Sequence, residues 1–212
     1  MKTICFFILF TTIFHAQQSK LSKGVNYITE FIASSYFQEL KNSMNDIALT
    51  DSIFVRAIDF YSGDINEALL ALTFASVPYK KVPIQIPLIK SIIRYPLTSH
   101  SDSLFYKKNE QLPSQLYFDS PQNKYGDKDK LAHFFGSAYI AHASNIFDLG
   151  DLIGYFVEVF EENFKVQSSV DLRDIETNKL GNIFGDTLKK NRNILPSQIL
   201  IMPALKHFRY CL

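Results

Sequence analysis

Apolar residues at Tyr27, Ile28, Phe31, Ile32, Tyr36, Phe37 and Leu40 recur at i, i+3 and i+4. The stretch from Val25 to Met44 therefore predicts one amphipathic helix, packed on the rest as a lid or bracket. Thr50-Asp51 supplies an N-cap for a second helix through Phe54, Ala57, Ile58 and Tyr61, and Ser62-Gly63-Asp64 ends it. Asn66 to Ser76 is apolar nearly all round, which predicts a buried third helix. Prolines at 78, 83, 87, 96, 113 and 121 then deny any long helix across them. Val82 to Leu88 alternates apolar residues with proline and predicts extended chain over an apolar surface. Ile89 to Tyr95 predicts a short helix, and Ser99 to Leu116 an exposed loop with a short strand at Gln115 to Phe118. Connections of such length are often lids or binding loops.

From Asp127 the helical spacing returns. Leu131 to Phe147, Asp148 to Lys165 and Asp171 to Lys190 predict three helices, and Ile194 to Leu205, interrupted by Pro196 and Pro203, a tail against the core. No repeat at a fixed period is visible. The fold class that follows is mainly α. A helix-bundle core over 126–212 forms one compact unit with 17–125, which carries the N-terminal helices and the extended, proline-containing connection.

Composition narrows the picture. With 212 residues, 47% hydrophobic and 20% charged, the chain suits one globular domain with a substantial core. The balance of 22 basic to 21 acidic residues, with no Lys/Arg-rich run, gives no electrostatic case for nucleic acid. The aromatic residues are 19 Phe and 11 Tyr with no Trp, which fits a Phe-rich core or an apolar groove. Lys2, the apolar run Ile4 to Phe14 and the small Ala16 read as a secretory signal over 1–16, with an uncleaved tether as the alternative. Cys5 lies inside the apolar run, without the residues of a lipoprotein box. Removal of the signal would leave Cys211 alone, which excludes an internal disulfide and a CxxC site. The expected location is exported, periplasmic or outer-membrane-associated.

The polar residues of the last third carry the chemistry. Asp174, Asn178, Gly181 and Gly185 fall within about 60° of one another on a helix. Glycine inside a helix costs about 1 kcal/mol relative to alanine, so two on one stripe imply the close approach of another helix. Asp129 and His133, followed by Gly136 and Ser137, repeat the plan. Packing these two small-residue seams together would bring Asp129, His133, Asp174 and Asn178 towards one pocket. Glu158, Glu161 and Glu162 offer a further acid, and Lys130 with the Asp171, Arg173, Asp174 cluster adds fixed cations. A carboxylate beside a histidine holds its tautomer and raises its basicity, as general acid/base or nucleophilic chemistry requires. Cations and an amide beside it suit a phosphate oxyanion.

Blander readings stand beside these. His100, His142 and His207 read as packing or surface residues. Acidic residues at helix starts, Asp127, Asp129, Asp171 and Asp174, also serve as caps. Glu161-Glu162 reads as a solvated face. The coincidence of Asp129, His133, Asp174, Asn178 and two glycines in register is what favours a site.

These residues resemble the VanZ-like and YfiM-like families, whose pattern is Asp-Lys-x-x-His-Phe, a Glu on the next helix, then Ser-x-x-Asp-x-x-x-Asn-x-x-Gly-x-x-x-Gly. Asp129, Lys130, His133 and Phe134 match its first part, and Asp174, Asn178, Gly181 and Gly185 its last. Glu158 is the best candidate for the middle acid, with Glu161 next. Asp171 stands where the pattern has Ser, and the flanking helices are less apolar than in membrane-embedded members. The resemblance implies chemistry on a lipid or lipid-linked glycan head group by a phosphoesterase or head-group transferase. His133 would be acid/base or nucleophile and Asp129 its orienter, with Lys130, Asp171 and Arg173 binding substrate. Asp174 and Asn178 would bind the phosphate directly or through a divalent cation, for which oxygen ligands favour Mg or Ca. The alternative is a noncatalytic envelope module that binds lipid, a membrane surface or a protein through the same cavity, with Val82 to Tyr95 as the apolar contact.

Overall fold

Side-chain caps decide where the helices begin. The computed structural model describes residues 19–86, 91–96, 101–143 and 172–211. Among them it forms α1 (Lys20–Ile32), α2 (Ser35–Ser43), α3 (Asp46–Phe60), α4 (Ile65–Ser76), β1 (Lys81–Ile86) and β2 (Ser91–Pro96). There follow α5 (Asp102–Gln111), α6 (Lys128–Ala143), α7 (Leu172–Lys190), α8 (Pro196–Leu200) and α9 (Met202–Cys211). Ser19, Asn45, Asp64 and Ser101 each accept the backbone N–H three residues on, at 2.9 to 3.3 Å. Each such cap contributes about 1 kcal/mol. The predicted signal over 1–16 and the predicted helix Asp148 to Lys165 lie outside the described residues.

The caps correct two sequence expectations. The Ser34 hydroxyl donates to the Phe31 carbonyl at 2.7 Å and accepts from the Phe37 N–H at 3.0 Å, ending α1 and opening α2. Apolar spacing runs on through this break, so Val25 to Met44 reads as one helix and folds as two. The second predicted helix, α3, starts at Asp46 behind Asn45, ahead of Thr50-Asp51. Thr50 bonds back to the Asp46 carbonyl at 2.9 Å within the helix. Asp51 accepts the Ser197 N–H at 2.8 Å, at the start of α8. Ser62 and Gly63, both at positive φ, do end α3.

The proline-containing stretch departs further. β1 and β2 pair antiparallel, with Ile84 opposite Ile93 and Lys81 opposite Pro96. Residues 82–86 are extended, as expected, and of the predicted short helix Ile89 to Tyr95 the described residues 91–95 lie in a strand instead. β-Branched Ile92 and Ile93 favour the pleat, and a two-stranded ribbon leaves each strand an open edge on which proline is tolerated. Ser99 to Leu116 holds α5 rather than an exposed loop. The buried residues of α5 are Phe105, Lys108 and Gln111, so the face it turns inward is largely polar and gives no apolar period. Lys108 Nζ donates to the carbonyls of Ala75 and Val77 at 3.1 and 2.7 Å and closes the end of α4. Burial pulls its ammonium down to about 7. Gln115 to Phe118 is irregular chain and turn, not a strand.

The helices pack together as a bundle whose core runs through both halves of the chain. Phe184 of α7 meets Phe54 of α3 edge-on at 5.3 Å and stacks on Phe134 of α6 at 5.2 Å. Such pairs add roughly 0.5–1.5 kcal/mol each beyond the area they bury. α4 packs on α6, where His142 Nδ1 lies 2.6 Å from Asn66 Oδ1. The tail reaches the core through Ile199 and Leu200 of α8.

α6 and α7 form the most extensive helix pair. A Cβ at Gly181 would collide with the Phe134 carbonyl oxygen and come within 2.8 Å of Ser137 Cβ. One at Gly185 would collide with the Ala138 carbonyl oxygen and come within 2.9 Å of Ala141 Cβ. The two predicted glycines therefore do bring backbone against backbone. The facing residues are Phe134, Ser137, Ala138 and Ala141; Gly136 is buried in α6 but is not among the nearest atoms. Gly181→Ala or Gly185→Ala should lower stability by about 1–3 kcal/mol despite the better helix propensity of alanine. A lower urea midpoint would report it, and unchanged midpoints for both would refute so tight a contact.

Candidate functional site

Asp127 sets the start of α6. Its carbonyl accepts the Lys130 N–H at 2.9 Å, and its fully buried carboxylate takes the Ser120 hydroxyl on Oδ2 and lies 3.2 Å from Arg173 Nη1 on Oδ1. Burial raises the Asp127 carboxyl above the ordinary aspartate range, against the pull of Ser120 and Arg173. Gly126, at φ +51°, lets the chain pass under the Ser114 carbonyl just before this point. Tyr117, from the same loop, places its hydroxyl 2.7 Å from Thr177 Oγ1, and burial pushes its phenol up. α7 is thus tied to the loop that precedes α6 as well as to α6 directly.

Within this frame His133 meets Asn178 and Asp174. Its Nδ1 lies 3.1 Å from Asn178 Oδ1, and its Nε2 lies 3.4 Å from Asp174 Oδ1. Asn178 Oδ1 also accepts the Ser137 hydroxyl at 3.0 Å. Since an amide oxygen only accepts, the hydrogen of the neutral ring sits on Nδ1, and Nε2, facing Asp174, is the nitrogen that takes up the second proton. The side chain is 7% exposed. Burial lowers its basicity, Asp174 and Asn178 oppose that, and the Lys130 charge adds to the lowering. The net direction is downward, so the neutral ring prevails at neutral pH.

Lys130 lies between the acids. Its Nζ is 2.8 Å from Asp129 Oδ2 and 2.6 Å from Asp174 Oδ1, and its side chain is almost wholly buried. The expectation is that Asp129 orients His133; among the described residues Asn178 and Asp174 lie against the imidazole nitrogens, while Asp129 pairs with Lys130. The physical reason is reach, because the helix crossing brings α7 side chains directly onto the ring. One donor atom each from Asp129, His133 and Asp174 lie within 4.8 Å of one another, a spacing that could surround a cation. The anticipated oxygen pair was Asp174 with Asn178, but Asn178 Oδ1 faces Ser137 and His133. An imidazole nitrogen in the donor set moves the preference from Mg or Ca towards Mn or Zn. The Lys130 ammonium already bridges both carboxylates, so these residues fit a metal ion only with Lys130 withdrawn.

The structure thus brings together Asp129, Lys130, His133, Asp174 and Asn178, and adds Ser137. Arg173, expected to face substrate, instead pairs with Asp127 and reaches the Asp119 carbonyl at 3.4 Å. Glu158 and Asp171, with Glu161 and Glu162, lie outside the described residues. Spacing on α6 marked Ser137 only as small, and nothing periodic marked Tyr117, Ser120 or Thr177. No protein-family model, curated protein or solved structure matches the chain.

Lys130→Met would leave two carboxylates without their shared cation. The expected destabilisation is about 3 kcal/mol or less, below that of a fully buried pair because both acids keep some exposure. The same variant should raise the His133 pKa and bind Mn(II) or Zn(II) more tightly than wild type, as read by NMR titration and calorimetry. Equal metal binding by both proteins would show that Lys130 does not hold the cation position.

Proposed function

We propose that the protein is an exported envelope enzyme of the VanZ-like and YfiM-like kind that cleaves or transfers a phosphate-containing head group of a lipid or lipid-linked glycan. The observation that carries this reading is His133, held by Asn178 through Nδ1, with its Nε2 beside Asp174 and the Lys130–carboxylate pair. His133 Nε2 takes the proton of an attacking water or alcohol as its oxygen bonds to phosphorus. It returns that proton to the leaving oxygen as the P–O bond breaks. Asp174, 3.4 Å away, stabilises the imidazolium that exists between those events. Lys130 supplies positive charge for the phosphate oxyanion, shared with Asp129 and Asp174. Asn178 and Ser137 are positioning residues, since they act through the ring.

A second reading takes the same cluster as a noncatalytic connection in a lipid- or protein-binding envelope module. The internal pairing of Lys130 with both acids favours it, because such pairs also occur purely to join helices. A lipid panel separates the two. In the enzyme reading, wild type releases phosphate or head group, and folded His133→Ala loses roughly 10²–10⁴-fold in rate. Asn178→Ala loses less and shifts the pH profile. No release by wild type, or equal release by folded His133→Ala, would sink the enzyme reading; variants that unfold would favour the structural role.

The lowered His133 pKa fixes the sign of the pH dependence. Activity needs the neutral ring, so it should hold above the ordinary histidine value of about 6.5 and fall only below it. Stability should behave likewise, because below about 6.5 the unfolded chain takes up the proton more readily than the buried ring. A rate that falls on the alkaline side instead would assign the essential proton to another group.

A further inference from the structure

α9 projects its apolar side away from the protein. Residues 205–209 are all exposed, with Leu205 at 59% and Phe208 at 61%, whereas Pro203 is buried. At 100° per residue Ile201, Leu205 and Phe208 fall within roughly 60° of one another and about 140–160° round from Pro203. The stripe they form therefore faces outward. Arg209 borders it about 40° round from Leu205, exposed Lys206 lies about 60° further on the same side, and no Asp or Glu follows Asp186 in the chain.

The body side of α9 leads back to the candidate site. His207 stacks on Phe118 at 4.5 Å, and the preceding residue, Tyr117, bonds Thr177 on α7 beside Asn178. Leu172 and Ile175 expose more apolar surface within a turn of Asp174. An apolar stripe with cations at its margin matches a bilayer boundary, where side chains enter the acyl edge and cations meet phosphate groups. Two copies meeting through this face would oppose like charges, which disfavours self-association as its purpose.

We propose that α9 docks the protein on an anionic lipid surface, with Ile201, Leu205 and Phe208 inserted at the acyl boundary and Lys206 and Arg209 on lipid phosphates. The proposal deepens the head-group reading by supplying the surface from which substrate comes, and rests on that reading to this extent.

Co-sedimentation of the full chain tests it, using vesicles of phosphatidylcholine alone and with roughly one-third phosphatidylglycerol. Wild type should sediment with the anionic vesicles, be released by salt, and ignore the neutral ones. Lys206→Gln/Arg209→Gln should weaken binding roughly thirtyfold, the equivalent of two surface cations. Leu205→Asp/Phe208→Asp, at exposed positions that leave the fold intact by circular dichroism, should abolish it. His133→Ala should bind like wild type, so docking and turnover fail separately. The proposal is overturned by no binding of wild type, by equal binding to neutral vesicles, or by unaltered binding of either double variant. A wild-type dimer that Leu205→Asp/Phe208→Asp dissociates would likewise overturn it, as the face would belong to a second copy.

Discussion

The distance between α6 and α7 is the constraint on which the rest depends. At Gly181 and Gly185 the α7 backbone rests against the carbonyls of Phe134 and Ala138, with no room for a Cβ. Each glycine costs a helix about 1 kcal/mol, and the compensation comes from what the approach allows. On one side Phe134 and Phe184 stack in the core; on the other His133 bonds Asn178 directly rather than through a gap. A wider crossing would weaken both contacts together. Packing and site geometry are here the same variable.

Close approach also forces charges together. Asp129 and Asp174 would repel across the helix pair if each stood alone, and Lys130 between them turns the repulsion into two ion pairs. Taking an ammonium out of water is costly, so Lys130 is held in place by the two acids as much as they are by it. Its charge then acts on His133, adding to burial in keeping the ring neutral. The groups behave as one coupled unit, in which changing any member alters the rest. For an anionic substrate, Lys130 offers a shared positive charge rather than a free one.

The loop from Leu112 to Asp127 is a strap rather than a swinging lid. Asp46 of α3 accepts the N–H groups of Ser114 and Gln115 at 2.6 and 2.7 Å, and Asp127 binds Ser120 and Arg173 at the far end. Between these anchors Tyr117 reaches α7 and Phe118 reaches α9. One irregular segment therefore links the first half of the bundle, the polar cluster and the outward-facing tail helix. Most of its polar side chains bond within the loop, whereas Tyr117 and Asp127 are engaged by Thr177 and Arg173, partners distant in sequence that the loop read alone does not reveal.

Local chemistry alone fixed the helical class, the buried α4, the break at Ser62-Gly63 and the approach implied by Gly181 and Gly185, because periodicity and glycine placement act within a few residues. It also named Asp129, Lys130, His133, Asp174 and Asn178, since i, i+4 spacing puts residues on one helix face whatever surrounds it. Tertiary structure decided the partners. Only the packed helices show that Asn178 and Asp174, not Asp129, contact the imidazole, and that Arg173 turns to Asp127. The split at Ser34 and the helix α5 also escaped the apolar pattern: one depends on a hydroxyl serving two helices, the other on Lys108 reaching carbonyls that α4 leaves open. Spacing determines which residues share a face; which atoms meet across two faces depends on the crossing of the helices, and no single stretch of chain encodes that.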